Sequence, residues 1–205
     1  GYVTATTLAG NRLNTELRDI GNAVTVINSQ FLKDIGATSN ETLLQYTIGT
    51  EVGNIRGNFA GTGDSSFLDE SSRFTNPSQN TRVRGLAAAD NTRDYFLSDI
   101  PWDGFNVDRV DLQRGPNSIL FGQGSPAGII NVGLKQASYR NANEVSFQTD
   151  QWGSARWSAD INRVILKDEL AVRVMALKES EKFQQKPAFE DDDRVMGAVR
   201  WEPKF

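Results

Sequence analysis

Cysteine and histidine are both missing from the 205 residues. Without a thiol there is no disulfide, no thiolate metal site and no cysteine nucleophile; without an imidazole, the commonest general base and metal ligand are gone as well. Most enzyme classes are disfavoured at once, and no metal site, cofactor or catalytic residue is expected. The lack of cysteine fits a reducing compartment as well as an envelope protein that avoids thiols, so it does not place the chain. No apolar run approaches the roughly 20 residues of a membrane-spanning helix, and nothing ahead of Asn28 reads as a charged-then-apolar leader. A concentrated basic surface is absent too. The net charge is −4 and the 22 Lys and Arg residues are scattered, which argues against nucleic acid as a partner.

What is present reads as a polar globular chain. Hydrophobic residues make up 38% and charged residues 23%, which is neither a disordered nor a helical-membrane composition. The length suffices for one domain plus part of another. Because the chain opens on Gly1 and stops at Phe205 close to a strand-like run, it is read as an internal piece of a longer secreted precursor.

Residues 1–22 are polar and aperiodic, and read as a linker. Ala23–Ile27 is a short apolar, β-branched strand. Asn28 is placed to cap a helix over Ser29–Ile35 that Gly36 stops, and Thr38 with Glu41 has the spacing of a capping box for a second helix carrying Leu43, Leu44 and Tyr46. Gly53–Asn80 is a long Gly-, Ser- and Asn-rich loop, of a length that compact domains seldom keep without a function. Strands are expected at Thr81–Arg84, Tyr95–Ser98, Arg109–Gln113 and Gly128–Val132, with a helical turn between Pro116 and Gly122. The first part is therefore an α+β domain of short mixed elements, over 23–137.

From 138 onward the period becomes two. Val145, Phe147 and Thr149 alternate with polar residues, as do Trp157, Ala159 and Ile161, then Leu170, Val172, Val174 and Ala176, then Val195, Val199 and Trp201. Turns are expected at Lys167–Glu169 and Glu190–Asp193, which gives an antiparallel β-meander. A soluble sheet with one wet face and the start of a transmembrane β-barrel are both written this way, and the pattern alone favours the former. Four strands cannot close a membrane barrel, whose smallest bacterial forms have about eight.

The run Arg114-Gly115-Pro116-Asn117-Ser118-Ile119-Leu120-Phe121-Gly122, followed by Gly124-Ser125-Pro126-Ala127-Gly128-Ile129-Ile130-Asn131, decides between the two. It closely resembles the plug signature of the TonB-dependent receptors. There a strand ends in Arg-Gly-Pro, a short helix ends in an aromatic-Gly pair, and a Gly-rich turn enters an Ile-Ile-Asn strand. Arg82-Val83-Arg84-Gly85, Leu97-Ser98-Asp99-Ile100-Pro101 and Val107-Asp108-Arg109-Val110-Asp111 match further family segments in the right order. The resemblance spans Ala23–Lys135. It implies a plug domain followed by the first barrel strands of an energy-coupled transporter in the outer membrane of a Gram-negative bacterium, not an enzyme.

The implied partners are the inner-membrane energising protein TonB, through a segment upstream of Gly1, outer-membrane lipid around the strands, and an extracellular small molecule or oligosaccharide such as a siderophore or cobalamin. The family's energy-coupling box is not seen in this sequence. Gly85, Gly115, Gly122, Gly124 and Gly128 suit sharp turns and close packing. By resemblance Arg84 and Arg114 face carboxylates on the barrel wall, and Asp90, Asn91, Arg93, Trp102, Asp103 and Phe105 are ligand candidates. Two other functions compete. A phosphate cradle at Gly122–Gly128 lacks the Lys-Ser/Thr pair of a P-loop, and a soluble β-rich binding or signalling module would use the same sheet.

Overall fold

The computed structural model describes residues 2, 4–9, 14–53, 81–115, 125–184 and 186–204. It divides into two compact units, Gly1–Leu134 and Lys135–Phe205, three residues before the expected boundary. The loop at 54–80, the helical turn expected from Pro116 to Gly122, and Gly124 lie outside the described residues.

In the first unit, the segment read as a linker holds a small antiparallel pair, β1 (Thr6–Thr7) with β2 (Thr15–Glu16). β3 (Ala23–Asn28) follows, and the Asn28 side chain accepts from the Phe31 amide at 3.0 Å to start α1 (Ser29–Asp34). The second helix, α2 (Asn40–Leu44), begins one residue later than the Thr38–Glu41 spacing suggests. Its cap is Ser39, whose extended backbone lets the side chain take the Thr42 amide while the Thr42 hydroxyl returns to the Ser39 amide. The box is therefore Ser39–Thr42, closed by hydroxyls rather than by a carboxylate.

β4 (Thr50–Val52) pairs with β5 (Thr81–Val83), and a tight turn follows in which both Arg84 (φ 55°) and Gly85 (φ 69°) are left-handed. The Leu86 amide closes that turn on the Val83 carbonyl at 3.1 Å. Two positive φ values suit the twist of a hairpin, and glycine meets that demand freely whereas Arg84 meets it at a steric cost.

The main sheet of this unit has the order β3, β8 (Val107–Arg114), β9 (Gly128–Leu134), β6 (Asp90–Arg93), β7 (Phe96–Leu97), with β6 and β9 parallel and the other pairs antiparallel. On one face Ile27, Val110 and Val132 form a lateral row, with Leu112 and Ile130 in the next. They pack with Leu32, Leu43, Leu44, Val52, Val83 and Trp102 into one core. Leu43 and Leu44 are fully buried, so the apolar side of the short helix α2 is held by packing rather than by its length. Gly128 is required where β9 meets β8: a Cβ there would sit 2.0 Å from the Gln113 carbonyl oxygen, at a φ of 123°.

The second unit is a four-stranded antiparallel meander of β10 (Ala142–Thr149), β11 (Ala155–Leu166), β12 (Leu170–Lys182) and β13 (Phe189–Trp201). The turn at Lys167–Glu169 is as expected, with Asp168 left-handed. The acidic run Glu190–Asp193 is not a turn but part of β13. It pairs with Glu181, Ser180, Glu179 and Lys178 on β12; Lys178 offsets Asp193 across the strands, and Arg194 offsets Asp192 within β13.

Registers sort the side chains of this sheet cleanly. One face carries the rows Val145–Ala159–Ala176–Val195 and Phe147–Trp157–Lys178–Asp193, with Ile161, Val174, Val199 and Trp201 further along. The other carries Ser146–Ser158–Leu177–Arg194, Gln148–Arg156–Glu179–Asp192, and Asp160, Asn162 and Arg173. The apolar face is the bare one: Val195 is 80%, Trp201 70% and Val199 67% exposed, whereas Asn162 is 1% and Arg156 9% exposed. A water-soluble sheet would show the reverse.

Candidate functional site

The two arginine-bearing turns meet in the first unit. β5 leads into the turn Arg84-Gly85 and β8 ends at Arg114, ahead of Gly115; Gly49 lies beside both, the Arg84 amide donating to the Gly49 carbonyl at 2.8 Å. A Cβ on Gly115 would lie 3.3 Å from Arg84 Nη1, and one on Gly49 would lie 3.9 Å from Arg114 Nε. Both glycines have positive φ, so small residues let the two guanidinium groups approach. Arg114 Nη1 donates to Thr25 Oγ1 at 2.8 Å, while Arg114 Nε is buried without an acceptor.

Burial, and then the neighbouring Arg84 charge, pull the Arg114 guanidinium below the usual arginine range. Among the described residues neither arginine is paired with a carboxylate. Two adjacent guanidinium groups with an unused donor have the chemistry to bind an anionic group that presents oxygens in a plane.

The six ligand candidates are distributed differently. Asp90 Oδ2 accepts from the Ser125 amide at 2.6 Å. Asn91 Oδ1 accepts from Asn40 Nδ2 at 2.6 Å, and Asn40 Oδ1 accepts from Trp102 Nε1 at 2.5 Å. This relay ties the start of α2 to β6 and to the segment ahead of β8. Asp103 caps the short 3-10 turn Gly104–Asn106 by accepting from the Phe105 amide at 2.8 Å. Trp102, Asp103 and Phe105 are buried, and Asp90, Asn91 and Arg93 are half-buried. The exposed apolar groups in this stretch are Phe96, Leu97 and Ile100.

A polar seam lies on the opposite face of the main sheet from the core, and sequence reasoning missed it. The row Val26–Asp111–Asn131–Thr92 crosses four strands. Thr92 Oγ1 donates to Asn131 Oδ1 at 2.8 Å, and Asn131 Nδ2 donates to Asp111 Oδ2 at 3.4 Å. Thr7 Oγ1, from β1, donates to Asp111 Oδ1 at 3.0 Å, and Tyr95 Oη donates to Asp111 Oδ2 at 3.4 Å.

Burial pushes the Asp111 carboxyl up, against the Arg109 guanidinium 3.9 Å away and against its hydrogen-bond donors. The same burial, with the Asp111 charge second, pushes the Tyr95 hydroxyl well above its usual range. The available signal was a polar residue at the odd position of an apolar strand: Asp111 between Val110 and Leu112, and Asn131 between Ile130 and Val132. Among the described residues no cluster suited to a metal ion is found. No helix among them is long and apolar enough to cross a membrane.

Residues 16–129 match the family described as TonB-dependent Receptor Plug Domain. This chain belongs to the TonB-dependent receptor plug family. The ferrichrome outer membrane transporter/phage receptor of Escherichia coli K12 is 25% identical over 195 residues, which cover 95% of this chain and 25% of that protein. The catecholate siderophore receptor Fiu of the same organism is 27% identical over 173 residues, covering 83% and 21%. The metal-pseudopaline receptor CntO of Pseudomonas aeruginosa is 24% identical over 206 residues, covering 98% and 27%.

Among solved structures, the closed form of Fiu superposes with a TM-score of 0.77 at 23% identity, over 98% of this chain and 26% of that one. The ferripyoverdine receptor of P. aeruginosa superposes with a TM-score of 0.82 at 18% identity, over 99% and 26%. These plug-and-barrel structures share the fold: a small mixed plug sheet with few helices, then an antiparallel meander. The chain spans about a quarter of the length of the curated relatives it matches. TonB-dependent receptors are transporters rather than enzymes.

Proposed function

We propose that this chain is the plug and the first four barrel strands of an energy-coupled outer-membrane importer, and that its cargo is a metal chelate of the siderophore class. The observation that carries the membrane reading is the inverted polarity of the second unit, with valines and tryptophans bare on one face and ion pairs sheltered on the other. From Lys178 to Leu170 the strand rises about 27 Å, and a tilt of about 40° leaves roughly 20 Å along the membrane normal, comparable with the apolar band of about 25 Å in such barrels. Aromatic residues stand at both ends of that span, Phe147 and Trp157 beside Lys178 and Trp201 opposite Leu170. The siderophore class is favoured by the names of the relatives, which are ferrichrome, catecholate siderophore and metal-pseudopaline receptors.

In this reading the plug fills the lumen of a barrel completed by strands beyond Phe205, and TonB engages a segment upstream of Gly1. Arg84 and Arg114 hold the plug by donating to carboxylates on the barrel wall. Asp90, Asn91, Arg93, Trp102, Asp103 and Phe105 belong to the plug region that meets cargo, the buried members shaping the surface that the half-buried ones present.

Deletion of residues 23–134 from the full-length receptor in planar bilayers tests the assignment: a conductance rising from near zero to that of an open pore is expected, and unchanged impermeability would refute it. A soluble module would instead give a monomer in detergent-free buffer, with β10–β13 closing their own core.

A further inference from the structure

The link between β9 and β10 is bonded to the sheet it enters along its whole length. At Lys135, directly after the first unit ends, Nζ meets Asp160 Oδ2 at 3.0 Å. Arg173 chelates the same carboxylate, Nε to Oδ1 and Nη2 to Oδ2 at 2.7 Å each, and its Nη1 donates to the Gln136 carbonyl at 3.0 Å. Asn162 takes the next turn of the link: its Oδ1 accepts from the Ser138 amide at 3.0 Å, and its Nδ2 donates to the carbonyls of Ser138 at 2.7 Å and Arg140 at 2.6 Å. The last link residue, Asn141, accepts from the Val164 amide at 2.8 Å.

Asp160, Asn162 and Val164 are alternate residues of β11, all on its sheltered face, and Arg173 stands opposite Asn162 on β12. The link thus runs along one strand in register with its side chains. An irregular segment with exposed backbone needs none of this. A flexible tether would leave its amides to water, whereas here the side chains that read the backbone are sheltered, Asn162 at 1% exposed and the Arg173 side chain at 20%, and the Asp160 carboxylate that holds Arg173 is at 12%. Buried, fully satisfied polar networks of this kind fix one geometry, because breaking any member strands the others.

We infer that Lys135–Asn141 is a fixed anchor on the barrel wall, so that any rearrangement of the plug during transport ends at Leu134 and the anchor itself never leaves the wall. The inference rests on the importer reading for its purpose, and on the geometry of the second unit alone for its substance. It assigns positioning roles to Asp160, Asn162 and Arg173 that neither touch cargo nor shape the pore.

Amide exchange with residue resolution on the full-length receptor tests this. In Asn162→Ala, exchange at Ser138 should quicken by about tenfold, the factor expected for one net hydrogen bond, while Val110 in β8 stays as in the wild type. Should Asn162→Ala fail to fold, Asn162→Asp keeps the acceptor for the Ser138 amide and loses the donor to both carbonyls, so Ser138 exchange should stay protected while the carbonyl-carbon signal of Arg140 shifts. In a denaturant series on the wild type, Ser138 and Val164 should open together with β11, at higher denaturant than Thr25 and Val110. Ser138 exchange unaltered by Asn162→Ala, or Ser138 opening together with β3, would overturn the anchor. Failure of the importer reading would show differently, as an unchanged conductance on plug deletion with Ser138 still protected.

Discussion

The two units of this chain obey opposite rules about water. In the first, Leu43, Leu44, Val110 and Ile130 are inside and charged groups are mostly outside; in the second, Val195, Val199 and Trp201 are outside while Asn162 and Arg156 are sheltered. Both arrangements follow from the same penalty on unpaired polar groups away from water, applied to different surroundings. The first unit hides apolar surface from solvent. The second leaves its apolar face bare and spends its hydrogen bonds on the sheltered one, an arrangement that would cost little in lipid. One sequence therefore carries two folding codes, and the switch falls at Lys135.

The contrast can be broken most sharply from the plug side. Leu44→Ala should destabilise the first unit by about 2–5 kcal/mol, since a fully buried leucine leaves a cavity that α2 and the sheet cannot close. Denaturant unfolding followed through exchange at β8 amides would measure it, and a loss below about 1 kcal/mol would show that the core is looser than its burial implies.

The mirror experiment is Val174→Arg, at the middle of the outer face between Ile161 and Gly197. In a bilayer the charge should cost about 2–4 kcal/mol in folding of the full receptor into lipid vesicles. On a water-facing strand the same change would be almost silent, so a null result here would erase the comparison.

The smallest expected effect sharpens the picture of the polar seam. Because burial raises the folded-state pKa of Asp111, the fold holds that proton more tightly than the unfolded chain does. Stability from this site is complete below the ordinary aspartate value of about 3.9 and is lost as pH rises through the raised value. Asp111→Asn should flatten that part of the stability-against-pH curve. A curve of unchanged slope would mean that Arg109, Thr7, Asn131 and Tyr95 together already hold the carboxylate ionised at no cost.

Much of this architecture was legible in the residues, and the failures have physical causes. Period-two runs located all four late strands, yet alternation is unchanged when a sheet is turned inside out. Which face is bare emerged only from the exposure of Val195, Val199 and Trp201 against the burial of Asn162 and Arg156. β6 reads Asp-Asn-Thr-Arg and has no apolar residue to announce it; it is a strand because β9 offers it a parallel partner. Glu190–Asp193 looked like a turn because charge density was weighed without Lys178 and Arg194, which answer it. In the candidate site, the resemblance pointed to Arg84 and Arg114 separately, and folding brought them together across Gly49 and Gly115. The Trp102–Asn40–Asn91 relay joins three distant segments, and no local pattern encodes such a contact.

The order of the main sheet has a mechanical meaning. Among the described residues β3 is an edge strand, bonded only to β8, and its first residue, Ala23, pairs with Arg114 while its last, Asn28, pairs with Arg109. A tug on the N-terminus directed across the sheet therefore loads one rung at a time, as a zipper does, starting beside the arginine turn once Thr7 has let go of Asp111. Strands pulled along their length would have to shear every rung together, at far greater force. The plug is thus easiest to open from its leading end, while β9, flanked by β8 and β6, would be among the last strands to yield.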